Sequence, residues 1–163
     1  MSGHNRLARM VHNFDALPAG LRCLLVTWAF GSTVHFVRTA GLRFQELTEE
    51  RAVLVLKNRR RVQNHIGTVH AAAVALLGET ATGAVFGMNV PDDKFPILKS
   101  MRLNYVKRSQ GALRAEASLT AEQCARFAPE EKGEIAVPVK ITDESGGPTV
   151  ECEYVWAWRP KKK

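Results

Sequence analysis

From Val69 to Leu77 the chain reads Val-His-Ala-Ala-Ala-Val-Ala-Leu-Leu, and apart from His70 every side chain is apolar. Alanine and leucine favour helix, and a helix that is apolar around most of its circumference has to be enclosed by other elements. The rest of the chain must therefore supply a wrapping layer. Shortly after this run stands Glu79, a carboxylate inside the most apolar helix candidate of the protein. Burying a charge is costly, so function is to be sought at that helix.

The wrapping layer is legible as alternation. Met101, Leu103 and Tyr105 alternate with Arg102 and Asn104, and Leu113, Ala115, Ala117 and Leu119 alternate with Arg114, Glu116, Ser118 and Thr120. Ile135, Val137, Val139 and Ile141 repeat the pattern, as do Val150, Cys152, Tyr154, Trp156 and Trp158 beyond a turn at Asp143 to Pro148. A period of two marks antiparallel strands with one covered face. Pro138 has no N–H for a ladder, which predicts an edge or a bulge in its strand. Leu42 to Thr48 and Arg51 to Lys57 add two strands about a Thr48-Glu49-Glu50 turn. Arg6 to Phe14 and Ala19 to Val37 read as helices separated by Leu17-Pro18-Ala19-Gly20. The expectation is one α+β domain: a helical lead over 1–40, a core over 41–160 in which a curled antiparallel sheet wraps a buried helix, and a basic tail at 161–163.

Composition narrows the function classes. With 163 residues and 45% hydrophobic content a single substantial core is within reach. Cys23, Cys124 and Cys152 are widely spaced, suggesting neither a disulfide framework nor a cysteine zinc site and favouring a cytoplasmic setting. No metal is expected, because His65 and His70 lack a third ligand at suitable spacing. The start carries no secretory apolar run, and the apolar stretch Cys23 to Val37 is interrupted by Thr27, Ser32, Thr33 and His35, so no transmembrane segment is expected. The net charge of +7, with runs at Arg59-Arg60-Arg61 and Lys161-Lys162-Lys163, favours anionic partners. Zinc-finger spacing, a phosphate-cradling glycine loop and an aromatic RNA-binding signature are all missing, so nucleic acid is not expected.

Asn64, Gly67, His70 and Glu79 resemble the Asn-x-x-Gly-x-x-His-Gly-Gly signature, with an acidic residue nine positions after the histidine, of hotdog-fold acyl-CoA thioesterases. The similarity spans Leu42 to Trp158 and is strongest toward the phenylacetate-pathway type and a related group of little-characterised bacterial proteins. It implies a hotdog fold, hydrolysis of an acyl-CoA thioester without a cofactor, and a homodimer or tetramer. It also implies a site in which Glu79, Asn64, His70 and Ala71 are catalytic, with Gly67, Thr68, Arg61, Lys107 and Arg108 at the substrate. The chain departs from the signature at the paired glycines, which are Ala71 and Ala72 here. The resemblance assigns the thioester carbonyl to the backbone N–H just after the histidine; alanine offers an N–H as glycine does, while its methyl narrows the mouth.

Nine helical residues span roughly 13 Å along the axis and about half a turn around it. Glu79 therefore does not reach the start of its own helix, and a carbonyl touched by both groups would lie between two subunits. Glu79 would serve as general base or as nucleophile. Gly78, Ala81 and Gly83 are small enough to leave room for an acyl chain. His70 reads as a supporting cap, and neither Thr80 nor Thr82 is assigned a catalytic role. Two other functions fit the same residues: a hydroxyacyl-thioester dehydratase using His65 and Glu79, and a non-catalytic acyl-ligand binder.

Overall fold

The computed structural model describes residues 5–161, so Lys162 and Lys163 of the expected tail lie outside the described residues. The lead begins with α1 (Arg6–His12), whose N-cap Asn5 accepts a hydrogen bond from the Ala8 N–H. Next comes α2 (Ala19–Thr33). The helix expected to continue to Val37 instead breaks at Val34 and resumes as α3 (His35–Ala40). The Ser32 and Thr33 hydroxyls both donate back to the Ala29 carbonyl, a competition with helix bonding that bends and ends helices. Gly41 terminates α3 at φ 76°, a left-handed conformation that glycine takes without a Cβ penalty.

β1 (Arg43–Leu47) and β2 (Arg51–Leu56) form the expected hairpin, its turn held by the Arg51 N–H donating to the Thr48 hydroxyl. After a single 3-10 turn at Arg60–Val62, the central helix α4 runs over Ala71–Asn89. The remaining elements are β3 (Lys94–Tyr105), β4 (Leu113–Ser118), α5 (Ala121–Arg126), β5 (Gly133–Val137), β6 (Val139–Asp143) and β7 (Pro148–Pro160). α5 had no counterpart in the hydrophobic pattern. Its signal is chemical: Thr120 and Gln123 form a capping box, each side chain accepting from the other's backbone N–H. At Pro138 the expected strand divides: β5 pairs only with β7, whereas β6 pairs with both β4 and β7.

The sheet is antiparallel, in the order β1-β2-β4-β6-β7-β3 with β5 also on β7, and it curls around α4 as a hotdog fold. Leu77, Ala81, Val85 and Phe86 of α4 are fully buried against Leu54, Leu56, Leu113, Ala115, Tyr154 and Trp158. α4 is long and apolar enough to cross a membrane by length and composition, yet it is the enclosed element of this fold. Gly78 and Gly83 do not leave acyl space. A Cβ on Gly78 would stand 2.3 Å from the Tyr154 hydroxyl, and one on Gly83 would stand 2.6 Å from the Trp156 ring. Their smallness lets β7 approach the helix. Alternation on β7 holds as expected, but Met101 and Tyr105 of β3 are about half exposed, because β3 is the last strand of the sheet and no further strand pairs with it among the described residues.

Candidate active site

The segment before α4 folds into a small loop in which Asn64 is the organiser. Its side-chain carbonyl accepts from the Ile66 and Thr68 N–H groups, and its amide donates to the Thr68 hydroxyl. Gly67 sits at φ 77°, a position that favours glycine, and its carbonyl accepts from the Asn58 side chain. Asn64 therefore holds its own loop. The loop delivers His70 to the N-cap of α4, where Nδ1 accepts from the Ala72 N–H at 3.1 Å. The Ala73 and Val74 N–H groups both donate to the His70 carbonyl. Of the donors in the first turn, the Ala71 N–H alone has no acceptor among the described residues. A free N–H at a helix start, reinforced by the helix dipole, suits a carbonyl oxygen that gains negative charge.

Two cavities flank this helix start. One, of about 360 Å³, brings together Asn64, Thr68, Ala71, Tyr105, Lys107 and Arg108. In the sequence Tyr105 reads as an alternating strand residue at the head of the basic Tyr105–Gly111 segment, with no site role; its hydroxyl donates to the Ala71 carbonyl at 2.7 Å and pins β3 to the helix start. Lys107 donates to the Ser145 hydroxyl and lies 3.6 Å from the buried Asp143 carboxylate. Burial alone would raise the Asp143 pKa, but bonds from Ser145 and the Gln110 N–H, with the Lys107 charge, hold it below the usual range. Arg108 donates to the Ile66 carbonyl and has no carboxylate partner among the described residues, so its charge faces the cavity uncompensated. The other cavity, of about 190 Å³, is lined by Arg61, His70, Ala72 and Phe36. The structure thus separates the expected substrate cations: Lys107 and Arg108 stand beside Ala71, and Arg61 lies across the helix start with His70.

Glu79 lines neither cavity, in keeping with its place two turns further along α4. It is half-buried, and desolvation alone pushes its carboxyl above the ordinary value of 4.5. No described residue hydrogen-bonds or ion-pairs the carboxylate. The neighbouring Gly78 packs on Tyr154, which is register-paired with Met101 of β3, so this turn of α4 lies over the β7–β3 end of the sheet. The hydroxyls of Thr80 and Thr82 donate to carbonyls within the helix. His65 is exposed in the loop, and no hydrogen bond joins it to Glu79. Among the described residues no group of three His, Cys, Asp or Glu side chains is placed to hold a metal.

A sheet curled around a buried helix, with a free N–H at the start of that helix and a lone carboxylate further along, places the protein in the hotdog-fold thioesterase-like class. More narrowly, residues 23–158 match the model of the family described as a domain of unknown function, DUF4442, and the chain belongs to that family. Among solved structures, a Pseudomonas aeruginosa protein of unknown function, PA5026, described as a probable thioesterase, is 27% identical; the match covers 89% of this chain and 97% of that one at a TM-score of 0.75. Thioesterase HI1161 from Haemophilus influenzae shares the fold at 12% identity, with 85% and 90% of the two chains covered and a TM-score of 0.68. A mutant of thioesterase SAV0944 from Staphylococcus aureus does so at 17% identity, with 77% and 99% covered and a TM-score of 0.64. No curated protein matches the chain.

Proposed function

We propose that the protein is a cytoplasmic acyl-CoA thioesterase that acts as a homodimer, with each site shared between subunits. The observation that carries this reading is Glu79, a half-buried carboxylate with no partner among the described residues and a pKa raised by desolvation. A carboxylate held unpaired at such a cost suits a general base for water or a nucleophile on the acyl carbon. The thioesterase names borne by PA5026 and HI1161 support the same chemistry. The Ala71 N–H supplies the oxyanion donor, His70 fixes the helix start that presents it, Asn64 shapes the adjoining loop, and Arg108 and Lys107 meet the phosphates of coenzyme A.

The unpaired edge of β3 supports the dimer. This strand runs twelve residues along the end of the sheet with one edge unpaired, and its exposed Met101 and Tyr105 share the face of the buried Tyr154 and Val150 with which they pair. A long apolar edge is a template for pairing. Pairing it with β3 of a second copy covers those side chains, continues the sheet, and sets the Glu79 turn of one α4 toward the Ala71 N–H of the other subunit. Release of free thiol from a panel of acyl-CoA thioesters tests the activity. Wild type is expected to hydrolyse at least one member, with Glu79→Gln slower by about 10²- to 10⁴-fold; no release by wild type above the Glu79→Gln control would refute the proposal.

A further inference from the structure

The lead helices carry an exposed surface that meets the site only at its rim, where Phe36 and Arg61 reach the cavity beside His70. Leu21, Leu24 and Trp28 recur at helical spacing on α2 and are exposed, Trp28 by 71% and Leu24 by 62%, and Phe36 on the following helix α3 is exposed by 60%. Next to Trp28 a cavity of about 210 Å³ is lined by Arg38, Arg43 and Arg61. None of the three arginines has a carboxylate partner among the described residues. From Ala16 to Gln45 the sequence holds no aspartate or glutamate at all. The face packs at the β1 end of the sheet, opposite the β3 edge, so pairing at β3 leaves it uncovered.

We infer that this face docks on an anionic phospholipid surface, with Leu21, Leu24, Trp28 and Phe36 entering the headgroup–acyl boundary and the Arg38–Arg43–Arg61 cleft holding lipid phosphates. An exposed apolar helix face beside three arginines without carboxylate partners offers side chains for the acyl boundary and cations for the phosphates above it, and tryptophan favours that boundary. The guanidinium groups offer forked donors to phosphate oxygens. A second protein surface would also cover the apolar side chains, but it would leave the three arginines unpaired unless it were itself strongly acidic. The lipid surface satisfies both features with one chemistry. Phe36 also lines the cavity that holds His70 and Ala72, so docking would bring the start of α4 close to the source of acyl chains. Docking itself does not depend on turnover.

Trp28 is a built-in reporter, since Trp156 and Trp158 are buried. The experiment follows Trp emission of the full chain on titration with vesicles of phosphatidylcholine alone or mixed with phosphatidylglycerol, together with flotation of the same samples. The mixed vesicles are expected to shift the emission to the blue and carry the protein upward, with salt reversing both and lipids brominated on the acyl chains quenching the signal. Arg38→Ala and Arg43→Ala should each weaken binding about fivefold, and Leu24→Ser by about tenfold or more. These side chains are exposed, so the variants should melt as wild type does. No binding to the mixed vesicles, equal binding to both kinds, or a blue shift that grows with protein concentration without vesicles would overturn the inference, the last by assigning the face to a second copy. A shift produced by inorganic phosphate or acyl-CoA in solution, with no flotation, would overturn it in favour of a soluble ligand.

Discussion

Trp156 of β7 donates its indole N–H to the hydroxyl of Thr82 on α4 at 2.9 Å, and Thr82 in turn donates to the Gly78 and Glu79 carbonyls. The turn of helix that carries the candidate base is thereby tied to the sheet by one buried hydroxyl. Thr82→Val keeps the shape and removes the acceptor, leaving a buried indole N–H unpaired. Chemical denaturation should show a loss of about 1–3 kcal/mol, whereas Thr82→Ser, which keeps the hydroxyl, should lose less.

Gly78→Ala tests why the helix is studded with small residues. In an exposed helix the change would stabilise by about 0.5–1 kcal/mol, and Gly20 on α2, with no atom within 4 Å of the added Cβ, should show such a gain or none. At Gly78 the new methyl meets the Tyr154 ring and hydroxyl, and the overpacking should cost about 1–3 kcal/mol. Denaturation midpoints of the two variants should therefore move in opposite directions or differ clearly. If Gly78→Ala is as stable as wild type and only alters acyl-chain preference, the small residues serve the substrate after all.

Two titrations of opposite sign should be visible in stability. His12 of α1 contacts Asp15 through Nδ1 at 2.7 Å and Glu49 through Nε2 at 2.6 Å, and its hydrogen bonds to Asp15 and then Glu49 raise its pKa above 6.5. Stabilisation by the charged imidazole is fully present below 6.5 and fades as pH rises through the higher folded value. His12→Gln should therefore lower the melting temperature most at mildly acid pH and least in alkali. Glu79 is also raised, but by desolvation, so its ionisation opposes folding once pH passes the ordinary carboxylate value of 4.5. Glu79→Gln should melt higher than wild type at neutral pH, and the gap should close as pH falls toward and below that value. A variant that is less stable than wild type at neutral pH would contradict the unpaired, desolvated carboxylate.

The central helix and the strands on its sheet face were legible because burial imposes a period on sequence, and Tyr154, Trp156 and Trp158 fall where that period puts them. β3 misled for the same reason: Met101 and Tyr105 alternate correctly, but periodicity marks an apolar face without saying whether the strand lies inside the sheet or at its end. α5 was invisible to periodicity, since none of its residues is buried, although Thr120 and Gln123 spell its start. In the site, the residues of the motif fall in the loop before α4 (Asn64), at its N-cap and first position (His70, Ala71) and two turns along it (Glu79). The motif could not show that Asn64 is engaged within its own loop or that Tyr105 closes over the Ala71 carbonyl, because both depend on hydrogen-bond geometry between parts far apart in the chain or folded into one turn. The division of Arg61 from Lys107 and Arg108 was equally hidden, since it depends on which side of α4 each loop passes.

The shared site is tested most directly by thioester hydrolysis in mixed dimers of Ala71→Pro and Glu79→Gln. Proline at the first position of a helix removes the N–H without disturbing the helix, and His70 already has the extended backbone that a following proline requires. Each variant alone should be nearly inactive. Because each lacks a different group, a mixed dimer rebuilds one complete site from the Ala71 N–H of one subunit and Glu79 of the other. Equal co-assembly should restore about a quarter of wild-type activity. Activity that stays at the level of the separate variants in verified mixed dimers would contradict a site shared between subunits.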